Sequence, residues 1–268
     1  MPETSFPASL TGESFQAPAI VEHYIHRPPY AAQIFNYIEE QAPATERLLD
    51  LGCGEGKVAR PLARVFQEVV AVDPSQNMIA LGQSLKGGDQ QNIQWVAAAA
   101  EDASLTGQFD VVTFASSIHW MDPEVLFGKL RDHLTSDHIL AIISGDTPHD
   151  PPWRKGWQQF LEKWVPIATG RPFGSHEWRN SRAKHLKYLD VIQSYEFRSE
   201  PFRQSIDDYI ACQHSRDTFA VPRLGERLAE FRKDVRHLLE PYADRNNVVE
   251  FRVKTNLTVS TLRKTWSG

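Results

Sequence analysis

The stretch Leu48-Leu49-Asp50-Leu51-Gly52-Cys53-Gly54-Glu55-Gly56 decides the fold. Arg47 to Asp50 reads as a short apolar strand, and three glycines at alternate positions follow it, ahead of a helical segment from Lys57 to Phe66. Glycine serves where backbone must take conformations that a Cβ hinders, or must approach a ligand closely. In an open α/β sheet such a loop lies at the carboxyl end of a strand and bounds the crevice where cofactors bind. A dinucleotide fingerprint, G-x-G-x-x-G, would require glycine where Lys57 stands, and no phosphate loop of the form G-x-x-x-x-G-K-[ST] occurs in this segment. What remains is an acid, Asp50, two residues ahead of a G-x-G-x-G turn. An acid there suits a ligand carrying an ammonium group and repels a pyrophosphate.

Downstream, Glu68 to Val72 reads as a second strand ending at Asp73. Asp73 lies about twenty residues on from the loop, the distance at which an acid in a doubly wound fold reaches ribose hydroxyls. Its two oxygens can accept from both. After a third strand, Ile93 to Val96, the step Ala100-Glu101-Asp102 can meet an adenine ring with backbone and side-chain groups. Helices are expected over Ala31 to Glu40, where Ile34, Tyr37 and Ile38 recur at helical spacing, over Met78 to Leu85, and over Pro123 to Leu134. Strands are expected over Phe109 to Phe114 and Ile139 to Ser144. This alternation predicts a mostly parallel, doubly wound α/β sheet with helices on both faces.

The pattern changes after Asp146. Asp150-Pro151-Pro152 makes a stiff break, and Trp153, Trp157, Phe160, Leu161 and Trp164 then fall on one helical stripe, read as helix packing with substrate contact as the alternative. Residues 169 to 186 show little periodicity and read as a mobile loop. Ser205-Ile206-Asp207-Asp208 has the form of a capping box and predicts a helix to about Gln213. Leu224, Leu228, Phe231, Val235, Leu238 and Leu239 mark another helix, while Val249 to Val253 and Leu257 to Leu262 read as strand material. Residues 1 to about 20, rich in Pro, Ser, Thr and Glu, read as a loosely held arm.

At 268 residues the chain has room for one substantial core plus a cap. Its 29 basic and 34 acidic residues leave a net charge of −5, and the short Arg/Lys clusters sit among acids. A nucleic-acid binder needs a basic stripe, so a small molecule is the expected partner. The cysteines Cys53 and Cys212 have neither metal-ligand nor disulfide spacing, so no metal is expected and a reducing, cytoplasmic setting is. No apolar run approaches the roughly 20 residues that cross a bilayer, so no membrane partner is expected.

His119 follows the strand Phe109 to Phe114 closely, which puts it at a carboxyl end beside the crevice. Asp122-Pro123 then caps and begins the next helix and fixes that short loop. His119 reads as a group facing the reaction, either orienting an acceptor or taking its proton. Trp120 reads either as a core anchor or as part of the same site. Arg171, Arg203 and Arg216 read as surface arginines, one of which could bind a carboxylate through paired hydrogen bonds.

Leu48 to Gly56, Val69 to Met78 and Ala100 to Asp102 together resemble the successive cofactor motifs of class I S-adenosylmethionine (SAM)-dependent methyltransferases. Tyr24-Ile25-His26-Arg27-Pro28-Pro29-Tyr30 and Ile118-His119-Trp120-Met121-Asp122 resemble segments of the branch that includes trans-aconitate methyltransferases. The resemblance implies a Rossmann-like seven-stranded sheet whose last strand is antiparallel, a helical cap, SAM as cofactor, and O-methylation of a carboxylate or hydroxyl. It implies that Asp50, Gly52 and Gly54 line the methionine end of SAM, and that Asp73 holds the ribose. Ser75 and Met78 then flank ribose and adenine, Ala100, Glu101 and Asp102 lie by the adenine, and Tyr24 and Ser116 complete the cofactor set. His119 and Trp120 become the catalytic candidates. Many relatives carry an acid where Ala99 stands, so a side-chain anchor for adenine falls to Glu101 or Asp102. The implied organisation is an arm or lid over 1–30, a SAM-binding core over 31–147, a cap over 148–245 and sheet-completing strands over 246–268. The alternative is a SAM-binding protein of this fold that catalyses a lyase or pericyclic reaction and adds no methyl.

Overall fold

In the computed structural model, which describes residues 13–174 and 184–265, the strand ahead of the glycines is β1, Arg47–Leu51. Its side chains alternate between two apolar layers, as period two requires. Leu48 joins a layer with Ile34 and Ile38 of α2 (Gln33–Gln41), Leu62 of α3 (Ala59–Leu62) and Phe66. A short helix α1, Pro18–Val21, precedes α2. Leu49 and Leu51 join the opposite layer with Leu126, Phe127 and Leu130 of α5 (Pro123–Leu130). The other strands divide in the same way: Val69 and Ala71 against Val70 and Val72 in β2 (Glu68–Asp73), and Val111 against Val112 in β4 (Phe109–Ala115). A sheet apolar on both faces must be covered on both.

Two compact units divide the described residues. The larger comprises residues 29–145, 184–199 and 254–265. Its strands run β3 (Ile93–Ala97), β2, β1, β4, β5 (Leu134–Ser144), β9 (Val248–Leu262) and β7 (Leu189–Arg198). The first five pair in parallel, and β9 runs antiparallel to both of its neighbours. This is the seven-stranded sheet with an antiparallel last strand. The chain steps outward from β1 to β3 and returns to β4 on the other side of β1. The ends of β1 and β4 therefore flank a topological switch point, where open α/β sheets bind ligands.

The smaller unit comprises the described residues up to 28, 146–174 and 200–253. Here β8 (Phe202–Ser205) and β6 (Pro148–His149) pair with the first part of β9. Trp153, with Phe160 and Trp164 of α6 (Arg154–Thr169), packs against Tyr209 of α7 (Ile206–His214), against Phe231 and Val235, and against Phe251. Trp153 is 1% and Trp164 0% exposed, so both are core, while Trp157 is half-buried and stacks on Phe160 at 4.9 Å. Ser205 accepts the Asp208 N–H at 3.0 Å and caps α7 as its sequence predicts. The helices α8 (Val221–Leu224) and α9 (Leu228–Leu239) complete the unit.

Some local expectations change. The helix expected from Lys57 to Phe66 is only Ala59–Leu62, because the loop takes up its first residues. α4 spans Gln76–Ser84. The two strand pieces at the end are one strand, and β7 and β8 were not anticipated. Of the loop expected over 169 to 186, residues 175–183 lie outside the described residues, as do 1–12 of the arm. Among the described residues no helix is long and apolar enough to cross a membrane.

Candidate functional site

The glycine loop is built on left-handed backbone. Gly52, Gly54 and Gly56 have φ of 67°, 55° and 76°. The loop folds back over β2: the N–H groups of Gly52 and Cys53 both donate to the Val72 carbonyl, at 2.8 and 3.0 Å. A Cβ at Gly52 would lie 2.4 Å from Ser117 Cβ, and one at Gly56 would lie 2.4 Å from the Trp95 ring. Glycine is therefore required at 52 and 56 by space as well as by φ.

Asp73 closes the loop from the end of β2. One carboxylate oxygen accepts the Gly54 N–H at 2.8 Å and the other accepts the Ser75 N–H at 2.8 Å. Burial pushes its pKa up, and those two N–H groups oppose the shift. Each carboxylate oxygen keeps a second lone-pair direction, so Asp73 can hold the loop and still accept from a diol. Ser75 caps α4 by accepting the Met78 N–H at 3.2 Å. Ser75 and Met78 are each 1% exposed.

Asp50 is 0% exposed. It accepts the Thr113 hydroxyl at 2.8 Å and the Ala59 N–H at 3.2 Å, tying β1 to β4 and to the start of α3. Burial lifts its pKa to about 7, opposed by those two donors and reinforced by the charges of Asp73 and Glu55. In this structure Asp50 frames the loop from beneath.

The second wall is the segment after β4. Ser116 has φ of 55°, its N–H donates to the Ile143 carbonyl at 2.9 Å, and its hydroxyl lies 3.2 Å from the Tyr30 hydroxyl. Ser117 donates to the Leu51 carbonyl at 2.6 Å. A 3-10 turn, Ile118–Trp120, then presents His119 and Trp120, whose rings lie 4.5 Å apart and tilted. Both are partly exposed. At the far end Glu101 accepts the Asp122 N–H at 2.7 Å, and the buried His185 donates from Nε2 to the Met121 carbonyl at 3.1 Å. Lys129 of α5 also donates to the Glu101 carbonyl, at 2.8 Å.

The larger unit thus brings together Asp50, Gly52, Gly54, Asp73, Ser75 and Met78 around one loop, with Ser116, His119 and Trp120 on the adjoining one. Ala100 is buried and Asp102 exposed, and Glu101 is engaged with the loop after β4. Tyr24 belongs to the smaller unit, where the Arg27 guanidinium lies 4.2 Å over its ring. Sequence reasoning missed Thr113, Ser117 and His185. Thr113 and Ser117 bracket the end of β4, where a polar residue within or just after an apolar strand is a usable signal, but His185 carries no local one.

Residues 48–137 match the family described as "Methyltransferase domain". The chain is 31% identical over 148 residues to the yeast Saccharomyces cerevisiae protein named "Probable S-adenosylmethionine-dependent methyltransferase CRG1", covering 53% of this chain and 48% of that protein. It is 33% identical over 136 residues to the ubiquinone biosynthesis O-methyltransferase of Nitrobacter winogradskyi, covering 49% of each. The chain spans about half the length of the curated relatives it matches. Among solved structures, one titled "The Structure of a Putative Type II Methyltransferase from Anaeromyxobacter dehalogenans" superposes with a TM-score of 0.67 at 21% identity, covering 87% of this chain and 96% of that one.

Proposed function

We propose that this chain is a class I SAM-dependent methyltransferase, a reading that its matched domain supports, and that it moves a methyl group onto a carboxylate or hydroxyl oxygen of a small molecule. The observation that carries the reading is the left-handed glycine loop held by Asp73 at the switch point of the sheet. Its residues fit SAM: the loop has no room for a Cβ at Gly52, and the acid at the end of β2 has lone pairs left for two ribose hydroxyls. Gly52 and Gly54 then line the methionine end, and Ser75, Met78 and Ala100 shape the ribose and adenine side. Asp50 acts through the loop it supports. Relatives named as O-methyltransferases support an oxygen acceptor.

Bound SAM supplies an electrophilic methyl on a sulfonium: an acceptor lone pair forms the new bond while the carbon–sulfur pair leaves with sulfur. The protein's task is alignment, and orientation can contribute about 7 to 11 kcal/mol to such a displacement. In this reading His119, on a turn pinned at both ends, holds the acceptor. Toward a carboxylate it donates a hydrogen bond; toward a hydroxyl its imidazole takes the proton. Trp120 beside it supplies an apolar wall. Two buried, unpaired cysteines fit a cytoplasmic setting.

The test is calorimetric titration of the full chain with SAM and S-adenosylhomocysteine (SAH), then mass spectrometry of small acids, phenols and alcohols incubated with SAM. Binding of SAH and gain of one methyl by an acceptor are expected. Failure to bind either compound overturns the reading. Conversion without added methyl would instead mark a lyase or pericyclic enzyme, and binding without turnover a regulator. With a turning-over acceptor, His119→Gln should lower kcat about 10- to 100-fold and leave SAH affinity within about threefold.

A further inference from the structure

In the smaller unit two arginines share one carboxylate. Arg27 Nη1 lies 3.5 Å from Asp146 Oδ2, and Arg216 Nη1 lies 3.3 Å from Oδ1. Arg27, Arg216 and Asp146 are 8%, 23% and 11% exposed. The partly buried arginines Arg47, Arg60 and Arg223 each have an acid of their own, in Glu68, Glu55 and Asp217. Guanidinium stays charged at every accessible pH. Among the described residues the trio therefore holds one surplus positive charge in a mostly buried setting, and charge so placed is costly unless a counter-charge meets it.

Both guanidiniums are held in place. Arg27 donates from Nε to the Ser215 hydroxyl at 2.9 Å and from Nη2 to the Ser215 carbonyl at 2.7 Å, with Tyr24 stacked beneath it. Arg216 is fixed by Asp146, donating to its carbonyl at 3.2 Å as well as to its carboxylate. Among the described residues Arg216 donates through Nη1 and Nη2 only, so Nε–H remains to be used. Asp217, the acid next in sequence to Arg216, is paired with Arg223 at 3.0 Å.

We propose that Arg27 and Arg216 form an oxyanion site in the smaller unit that takes the carboxylate of a small organic acid. A single surplus charge matches a carboxylate monoanion, and a planar carboxylate matches the guanidinium edge. Pre-fixed cations lose little freedom on binding. The acid is either a methyl acceptor or an effector, recognised by the same chemistry. The site stands on Arg27, Arg216 and Asp146 alone and does not rest on the cofactor reading.

The experiment titrates the full chain with acetate, benzoate and succinate, and with neutral methyl benzoate as control. Saturable binding of at least one acid is expected, together with loss of about tenfold or more in Arg216→Gln and weaker binding as salt is raised. Arg27→Gln provides the same reading should Arg216→Gln melt early, and Asp146→Asn should tighten the acid by adding to the surplus charge. Absence of saturable binding for all three acids, or equal binding by wild type and a folded arginine variant, overturns the proposal. An acid that binds and gains a methyl from SAM is the acceptor; one that binds unmodified is an effector. SAH titrated in the same samples reports on the cofactor site separately, so either reading can fail without the other.

Discussion

Asp50 is a carboxyl group taken wholly out of water, and its position two residues ahead of Gly52 makes its titration a property of the site. Its native pKa of about 7 is above the value of about 3.9 for an unfolded chain. The native state therefore holds this proton more tightly. The stability Asp50 contributes is complete below about pH 4 and is lost as pH rises through 7. An asparagine side chain at this position could still accept from Ala59 and turn its amide to Thr113, and it has no charge to bury. Urea unfolding should show Asp50→Asn gaining on wild type between about pH 5 and about pH 8, by up to a few kcal/mol; parallel profiles would refute this. Gly52 makes the steric case. Gly52→Ala should cost about 1–3 kcal/mol in left-handed strain and weaken SAH binding at least about tenfold, since Ser117 must move; unchanged SAH affinity would remove the loop from the cofactor site. Gly52 was legible from sequence. The burial of Asp50 was not, because it depends on Thr113 lying opposite in β4.

At the scale of elements, the decisive piece is the junction of β4 and α5. Asp122 accepts the N–H groups of Glu124 and Val125 at 2.9 and 3.2 Å, and Pro123 follows it, so the helix starts where the sequence said it would. Glu101, expected at the adenine, also has a structural partner, since one carboxylate oxygen accepts the Asp122 N–H at 2.7 Å. Glu101→Ala should therefore cost about 1 kcal/mol and raise hydrogen exchange around Met121 and Asp122, while SAH affinity stays within about threefold. A loss of SAH binding with unchanged exchange would instead place this side chain on the cofactor. The missed strand β7 has a physical reason. From Asp190 to Ser194 its side chains are all exposed, and a register shift between Val191 and Gln193 breaks the alternation. An edge strand buries too little on either face to write a period into the chain.

For the whole molecule, the sequence separates a glycine-punctuated α/β region from a tryptophan-rich one, and the two compact units each have an apolar core of their own. Trp164 anchors the smaller core, 0% exposed and with its indole N–H donating to Asp234 at 2.9 Å. Trp164→Ala should cost about 3–5 kcal/mol in denaturant unfolding, whereas a loss below about 1 kcal/mol would mean that this core is loosely packed. Strand β9 supplies residues to both units, so the reading of its two halves as separate pieces missed an element that the units share.

What the sequence determined by itself was whatever a few neighbouring residues can enforce. The glycines between β1 and α3 prescribe left-handed backbone, Asp73 at its interval prescribes an acid at the next strand end, and continuous apolar runs such as Val69 to Val72, alternating with helical segments, prescribe a sheet covered on both faces. Caps at Asp122 and Ser205 belong to the same class, since their partners lie within three residues. Tertiary structure decided what depends on distant partners. It put Thr113 on Asp50, Glu101 on Asp122, His185 on Met121, and two arginines 189 positions apart on the one carboxylate of Asp146. Hydrogen bonds and ion pairs act over a few ångströms of space, and separation along the chain does not encode that distance.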